Sequence, residues 1–427
     1  MRIIYLHQYF NDPSMPGGTR SHEVAARLGE AGHEVHVITS DREQRTRHRR
    51  TMHKYGYTTH WLGVPYRNDM SAAYRIQAFV EFGVKAAHLA YRLAPDVVLA
   101  SSTPLTIALP GVYASRRARV PMVFEVRDLW PEMPIVAGYL DNRLLQWCAF
   151  RLERFAYSHS ARIIALSSGM KAGVVAAGYP AEYIDVVPNA ADLAVFDVPQ
   201  ATGLRFRNQF DWLQDRPLIV YAGSLGFIYD LTYLVDLAGR ALVLEPSVRF
   251  VIIGTGAEEG LVRSRAAANG TLNRNLFMMP PMPKRDMPAV LSAANIVLSL
   301  TRPIPQLDVN SANKFFDALA AARPIAINYG GWQRDLIQST GAGLALPPGT
   351  PVAAADLLLA ALSDKGWLQG AGHAARKLAI SQFSRDELVD ATRHSLERAV
   401  LDFAGASKMF HVRSEHPVAG VEDVAAG

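Results

Sequence analysis

Residues 295–327 constrain the fold more than any other stretch of the chain. An apolar run, 295–300, leads into a proline-broken loop at 302–305, and a helical pattern follows through Asn313-Lys314-Phe315-Phe316-Asp317-Ala318-Leu319-Ala320 to Arg323. Pro324 ends that pattern, since its ring clashes with the preceding turn and it has no N–H to donate, and Ile325-Ala326-Ile327 reads as the next buried strand. Strand, loop, helix, strand is the repeating unit of a parallel α/β sheet. Such sheets bind ligands beyond the carboxyl ends of their strands, which is where this loop falls.

The chemistry at that helix start is specific. Ser311 is placed to cap the helix and leave the first-turn amides facing an anion. Lys314 opposes the helix dipole there, at a cost of a few tenths to about 1 kcal/mol, and a bound anion would remove the conflict. Asp317 lies one turn on. Amides, an ammonium and a carboxylate suit phosphates and a ribose diol, although Lys314 and Asp317 also fit an ordinary helical ion pair.

At 427 residues the chain is too long for one ordinary core, and the pattern divides it in two. Strand-like runs at 2–6, 34–38, 57–62, 96–100, 122–126 and 162–165 alternate with helical stretches, and the alternation resumes with strands at 218–221, 249–253 and 276–278. Between the halves, Pro188-Asn189-Ala190-Ala191-Asp192 precedes a stretch at 199–203 without periodicity, which reads as the hinge. The expected architecture is two doubly wound parallel-sheet, Rossmann-like domains facing a cleft, at 1–198 and 204–383. A helix at 384–403 is expected to pack back on the first domain, with 404–427 as a tail.

Composition narrows the function classes. Hydrophobic content of 49% against 19% charged makes the chain globular, and a single cysteine, Cys148, leaves no disulfide framework or cysteine-based metal cluster. Met1 runs directly into a strand pattern and no apolar run approaches the roughly 18 residues of a spanning helix, so the expectation is a soluble or peripheral protein of a reducing cytoplasm. The net charge of +5 is concentrated at Arg42, Arg45, Arg47, Arg49, Arg50 and Lys54. That segment reads as an exposed loop, either a solvated charge run or a patch for anionic lipid or a lipid diphosphate. The helical stretch 71–93 is explained by core packing, with a membrane-facing stripe as a second use. No recognition-helix pattern or RNA-binding aromatic motif points to nucleic acid.

Glycine turns recur at strand ends: Gly17-Gly18, Ala222-Gly223-Ser224-Leu225-Gly226 and Gly254-Thr255-Gly256. The last is no dinucleotide fingerprint, because Gly260 stands one residue late and no acidic ribose partner follows at the right distance. Arg127, Asp128 and Trp130, at another strand end, could grip a sugar by hydrogen bonds and ring stacking, or brace the loop as an ion pair. No Asp-x-Asp pair and no His or Cys cluster is spaced for a metal, so a diphosphate leaving group would be met by protein cations, Lys314 and Arg302.

In this order along the chain, the Gly17-Gly18 loop, Pro188-Asn189-Ala190-Ala191-Asp192, Tyr221-Ala222-Gly223-Ser224-Leu225-Gly226 and Asn313-Lys314-Phe315-Phe316-Asp317-Ala318-Leu319-Ala320 before Arg323-Pro324 resemble the family 4 glycosyltransferases of the two-domain GT-B fold. With Arg127-Asp128-Leu129-Trp130-Pro131, the last element looks like the branch that builds O-antigen, capsule and other bacterial surface polysaccharides, including N-acetyl-fucosamine transferases. The resemblance implies a retaining, metal-independent and cofactor-free transfer from a nucleotide diphosphate sugar, a UDP sugar above all, to a lipid-linked acceptor at the cytoplasmic face of the inner membrane. Lys314 and Asp128 are then the candidate catalytic residues. Gly18, Gly223, Ser224, Leu225, Gly254, Arg302, Asn313, Lys314 and Asp317 are the candidate donor contacts, and Arg127, Asp128 and Trp130 the candidate acceptor contacts.

Three positions depart from the family pattern. Val309 stands where relatives carry an acidic residue eight positions before the ribose carboxylate, with Asp308 or Asn310 as substitutes. Phe227, Ile228 and Tyr229 replace the usual Arg and Lys after the Gly223 turn, and Ser101-Ser102-Thr103 replaces a histidine. The competing readings are a UDP-sugar 2-epimerase of the same fold and a non-catalytic subunit that binds sugar nucleotides.

Overall fold

The computed structural model describes residues 1–42, 49–66 and 70–414. The first sheet has eight strands: β1 (Arg2–Leu6), β2 (Glu34–Asp41), β3 (Arg49–Lys54), β4 (Tyr57–Gly63), β5 (Val97–Ser101), β6 (Met122–Val126), β7 (Arg162–Ala165) and β8 (Ile184–Val186), in the order β3-β4-β2-β1-β5-β6-β7-β8. All neighbours pair in parallel except β3 and β4. The second sheet is wholly parallel: β9 (Leu218–Ala222), β10 (Arg249–Ile253), β11 (Leu276–Met279), β12 (Ile296–Ser299), β13 (Ile325–Ile327) and β14 (Gly343–Ala345), in the order β11-β10-β9-β12-β13-β14.

Helices cover both faces of each sheet, so its strands are apolar on both sides rather than alternating. Along β1, Ile4 and Leu6 face one core while Ile3 and Tyr5 face the other. The strand order reverses between β1 and β5 in the first sheet and between β9 and β12 in the second. Each reversal opens a crevice at the strand carboxyl ends, and the two crevices face each other.

The Arg385–Ser414 helix returns to the first sheet, packing on the Arg20–Glu30 helix and on β5, β6 and β7. Asp192 receives Arg385 at 3.2 Å on this return path, and Arg27 bonds Glu23 and Asp386 at 2.6 Å each.

Three local expectations are corrected. Part of the basic segment is strand, not loop: Arg49–Lys54 forms β3, where Arg50 lies over Trp61 at 5.4 Å and Lys54 over Tyr55 at 4.3 Å. Aromatic faces thus let a charged sequence serve as an edge strand, and its charges blunt further pairing. Arg45 and Arg47 lie outside the described residues. Residues 200–203 of the aperiodic stretch open a helix, Gln200–Arg207, with Pro199 as its N-cap, and bare Gly203 lets it seat against the backbone of Ser292 and Ala293. Finally, the closing helix continues through 404 to Ser414, into what reads as tail.

Candidate functional site between the two sheets

A cleft of about 1140 Å³ lies between the facing crevices. It exceeds the usual range for one small ligand, roughly 300–1,000 Å³, and so has room for parts of two substrates. Gly18, Gly223, Ser224, Gly254, Asn313, Lys314, Asp317, Arg127 and Asp128 all line it, and so do His7, Arg42, Lys284 and Tyr229.

On the second-sheet side, the β9 turn, the β10 turn and the Asn313–Ala320 helix meet. Gly223 and Gly254 let them close up: a Cβ on Gly254 would stand 1.9 Å from the Gly223 carbonyl oxygen, and one on Gly223 would stand 3.1 Å from the Lys314 ammonium nitrogen. The Lys314 Nζ donates to the Tyr221 hydroxyl at 3.0 Å and sits 4.3 Å from the Tyr221 ring centroid and 3.9 Å from that of Tyr229. Among the described residues no carboxylate pairs with it. Burial without a counter-charge pulls its pKa down to about 7.

Asp317 has a partner of its own. Lys284, 33 residues back and poised 5.1 Å over the Phe196 ring, bonds the Asp317 carboxylate at 2.5 Å. A ribose would share that carboxylate with an ammonium already in place. The Lys284 backbone N–H also donates to the Met15 carbonyl at 3.1 Å, and that of Arg285 to Pro13 at 3.2 Å, so the loop after β1 reaches across the cleft. Gly18 on the same loop lies so near Asn313 that a Cβ would stand 2.6 Å from its amide nitrogen.

The first-sheet wall comes from neighbouring strands: His7 follows β1, Thr103 follows β5, and Arg127 and Asp128 follow β6. Arg127 Nη1 donates to His7 Nε2 at 3.0 Å. Since arginine can only donate, the imidazole proton sits on Nδ1, and burial with the Arg127 charge holds the His7 pKa well below its ordinary value. Burial pushes the Asp128 carboxyl up to about 6, with Arg127 pulling the other way. Asp128 also acts on the opposite wall, where burial and then its charge raise the Tyr229 hydroxyl to about 12.

Several expected contacts lie elsewhere. Arg302 is turned away from the cleft: its loop bonds back to Ile228, and its guanidinium is taken up by Glu258 at 2.5 Å and the Phe227 face at 4.3 Å. Leu225 is wholly buried in the second core, with its N–H on the Thr255 carbonyl. Trp130 packs against the first core beside Leu129. Ser311 does not cap the helix; Ala312 is the N-cap and has no side-chain bond, while the Ser311 hydroxyl accepts from the Asn189 N–H at 3.2 Å. Of the substitutes for the acid missing at Val309, Asp308 is engaged with the Gly330 N–H at 3.0 Å, and Asn310 lines the cleft. Val309 itself joins the domains: Ser167 donates to its carbonyl at 2.6 Å, and Gly169 lies against its side chain. Ser101 and Ser102 are likewise structural, bonding Glu125 and the Arg127 N–H, whereas Thr103 lines the cleft.

Sequence reasoning did not single out His7, Lys284 or the two tyrosines. The strand-end rule could have found His7, which directly follows β1; no local signal marks Lys284, since it meets Asp317 only through the fold.

Two doubly wound domains that face each other across a cation-lined cleft, with a glycine turn on each wall, define the architecture of GT-B glycosyltransferases. The glycosyl transferase 4-like domain family matches residues 17–190, and the glycosyl transferases group 1 family matches residues 216–364. The chain belongs to the family 4 glycosyltransferases of the GT-B fold and is a glycosyltransferase. It is 26% identical over 286 residues, 66% of this chain and 69% of the relative, to a probable glycosyltransferase, WbjE, of Pseudomonas aeruginosa. It is 25% identical over 302 residues, 65% of this chain and 72% of the relative, to WcaI of Escherichia coli, a putative colanic acid biosynthesis glycosyl transferase. Among solved structures, Anabaena HepE in complex with UDP and glucose superposes with a TM-score of 0.70 at 16% identity, covering 93% of this chain and 100% of that one. Sucrose-phosphate synthase of Thermosynechococcus elongatus superposes with a TM-score of 0.76 at 15% identity, covering 94% and 99%. These two likenesses speak for the fold.

Proposed function

We propose that this glycosyltransferase moves a sugar from a UDP sugar to a lipid-linked saccharide in bacterial surface polysaccharide synthesis, with retention of configuration and without a metal. The observation that carries the reading is the Lys314 ammonium, which lines the cleft beside the Gly223 turn with no carboxylate among the described residues to neutralise it. A diphosphate seated there would meet Lys314, the first-turn amides of the Asn313–Ala320 helix and the glycine-turn backbone. Among the described residues no cluster of three or more His, Cys, Asp or Glu is placed to hold a metal ion. Asp317 would take the ribose and Asp128 the acceptor hydroxyl. The leaving phosphate would assist attack on the sugar face it departs from. The name of WcaI, a putative colanic acid biosynthesis glycosyl transferase, supports the polysaccharide assignment, and that of WbjE, a probable glycosyltransferase, supports the sugar transfer. HepE, crystallised with UDP and glucose, supports the donor class.

A lipid-linked acceptor requires approach to a membrane. No helix among the described residues is long and apolar enough to cross one. The Ala72–Arg92, Ala108–Ala118 and Arg143–Ser158 helices pack in sequence on one face of the first domain and expose Val84 (67%), Tyr113, Leu144 (67%) and Trp147 (59%) beside Arg117, Arg143, Arg151 and Arg154. Apolar and cationic side chains interleaved on one face support docking at an anionic lipid surface on the cytoplasmic side.

The test is incubation with a panel of sugar nucleotides and membrane lipid extracts, with products weighed by mass spectrometry and the anomeric configuration read by NMR. A glycosylated lipid with the donor's anomeric configuration, formed in EDTA, is expected. Release of free sugar and UDP without any lipid product would instead favour epimerisation, and an inverted product would overturn the mechanism.

A further inference from the structure

Where relatives were expected to carry an Arg and a Lys after the Gly223 turn, this chain has Phe227, Ile228 and Tyr229. The space is organised by aromatic rings. The Lys314 Nζ is held between the faces of Tyr221 and Tyr229, at 4.3 and 3.9 Å from their centroids, and the rings meet edge to face at 6.3 Å. The Tyr221 hydroxyl accepts from Lys314 and donates to the Ser224 carbonyl at 2.8 Å, so one hydroxyl ties the ammonium to the glycine turn. Tyr221 is fully buried in the second core and cannot swing away, whereas Tyr229 lines the cleft.

A lysine anchored by a carboxylate would have its charge cancelled before any substrate arrived. A ring face attracts the cation through its quadrupole and carries no net charge. On the reading that this cleft binds a nucleoside diphosphate, we propose that Tyr229, with Tyr221, is a positioning pair that fixes the Lys314 ammonium over Gly223 without a counter-charge, leaving it to pair with the diphosphate. The pair thereby replaces with one oriented lysine what separate basic side chains would do from the turn itself. Tyr229 acts through Lys314 and need not touch the reacting atoms.

Because the role runs through another side chain, a double-mutant cycle isolates it. UDP binding is measured by calorimetry at pH 7 for the wild-type chain and for Tyr229→Phe, Tyr229→Leu, Tyr221→Phe, Lys314→Met and the Tyr229→Leu/Lys314→Met double variant, with inorganic pyrophosphate as a parallel probe that has neither base nor ribose. Tyr229→Phe keeps the ring and should bind within about twofold of wild type, while Tyr229→Leu should bind about tenfold more weakly at an unchanged melting temperature. Tyr221→Phe removes the hydroxyl acceptor alone and should weaken binding several-fold, which tests the pair if the leucine variant does not fold. The double variant should bind no more weakly than Lys314→Met. Tyr229→Leu binding at wild-type strength, or losses that add in the double variant, would overturn the proposal. Wild-type protein that binds pyrophosphate but no nucleotide would sink the donor assignment while the cycle, run on pyrophosphate, still decides the role of Tyr229.

Discussion

Replacing Lys314 by methionine removes the charge and keeps much of the bulk, and the structure sets how large the effect should be. Burial draws the ammonium down to about 7 in the folded protein, against roughly 10.4 for an unfolded chain. At pH 8 about a tenth of the molecules carry the charge, so a ligand that needs it binds about tenfold more weakly than to the fully charged form. Binding should then take up close to one proton at pH 8 and about a tenth of a proton at pH 6. Calorimetry with UDP-glucose in buffers of different ionisation heat counts those protons, and the sugar diphosphate diester has none of its own to exchange in this range. Lys314→Met should abolish the uptake, flatten the pH dependence, weaken binding by about 10- to 100-fold at pH 6 and cut transfer by about 10² to 10³. Stability should move the other way. The unfolded chain holds more protons than the folded one at this site between about pH 7 and 10, so wild-type stability climbs with pH across that window, and below it the fold bears the whole cost of a desolvated charge. Methionine relieves that cost, and the variant should melt at or above the wild-type temperature at pH 6. No proton uptake by wild type at pH 8, or a variant several degrees less stable at pH 6, would refute the view of Lys314 as a charge held in reserve.

Asp317→Ala should weaken UDP binding about tenfold or more by removing the proposed ribose acceptor, and unchanged affinity by calorimetry would remove that role. Asp128→Asn tests the acceptor wall: if transfer needs the carboxylate, wild-type turnover should fall as pH drops below about 6, whereas the asparagine variant should be slow and lack that limb; an acid limb that persists in Asp128→Asn would assign it to another group. Gly254→Ala would push a methyl into the Gly223 carbonyl, backbone against backbone, and should cost about 1–3 kcal/mol or more, read as a fall of several degrees in melting temperature and loss of nucleotide binding; a variant that melts and binds like wild type would show that the two turns can separate.

What could be read from the sequence, and what could not, divides along a physical line. Periodicity and punctuation marked the β12–β13 unit, since Pro324 and two apolar runs act within a few residues, and the strand-end rule then placed Gly223, Gly254, Lys314 and Arg127 where a ligand could meet them. Local rules failed where a residue's fate depends on a distant partner. Ser311 has the chemistry of a helix cap, but Asn189, 122 residues away, claims its hydroxyl. Arg302 has the charge for a phosphate, but Glu258 and Phe227 hold it off the cleft. Charge also misled at Arg49–Lys54, where cross-strand pairing and aromatic faces outweighed a composition that reads as loop.

The two lysines of the cleft show why residue type alone does not reveal such a site. Lys284 and Lys314 carry the same group, yet among the described residues only Lys284 has a carboxylate, and its backbone bond to Met15 ties it to the loop that spans the domains. Its charge is committed to holding Asp317 and the closed cleft in register. Lys314 is held by uncharged tyrosines, so among the described residues no carboxylate pairs with it and its charge is open to an anion that enters. The sequence shows two lysines on separate elements; their division of labour follows from which of them the fold supplies with a counter-charge.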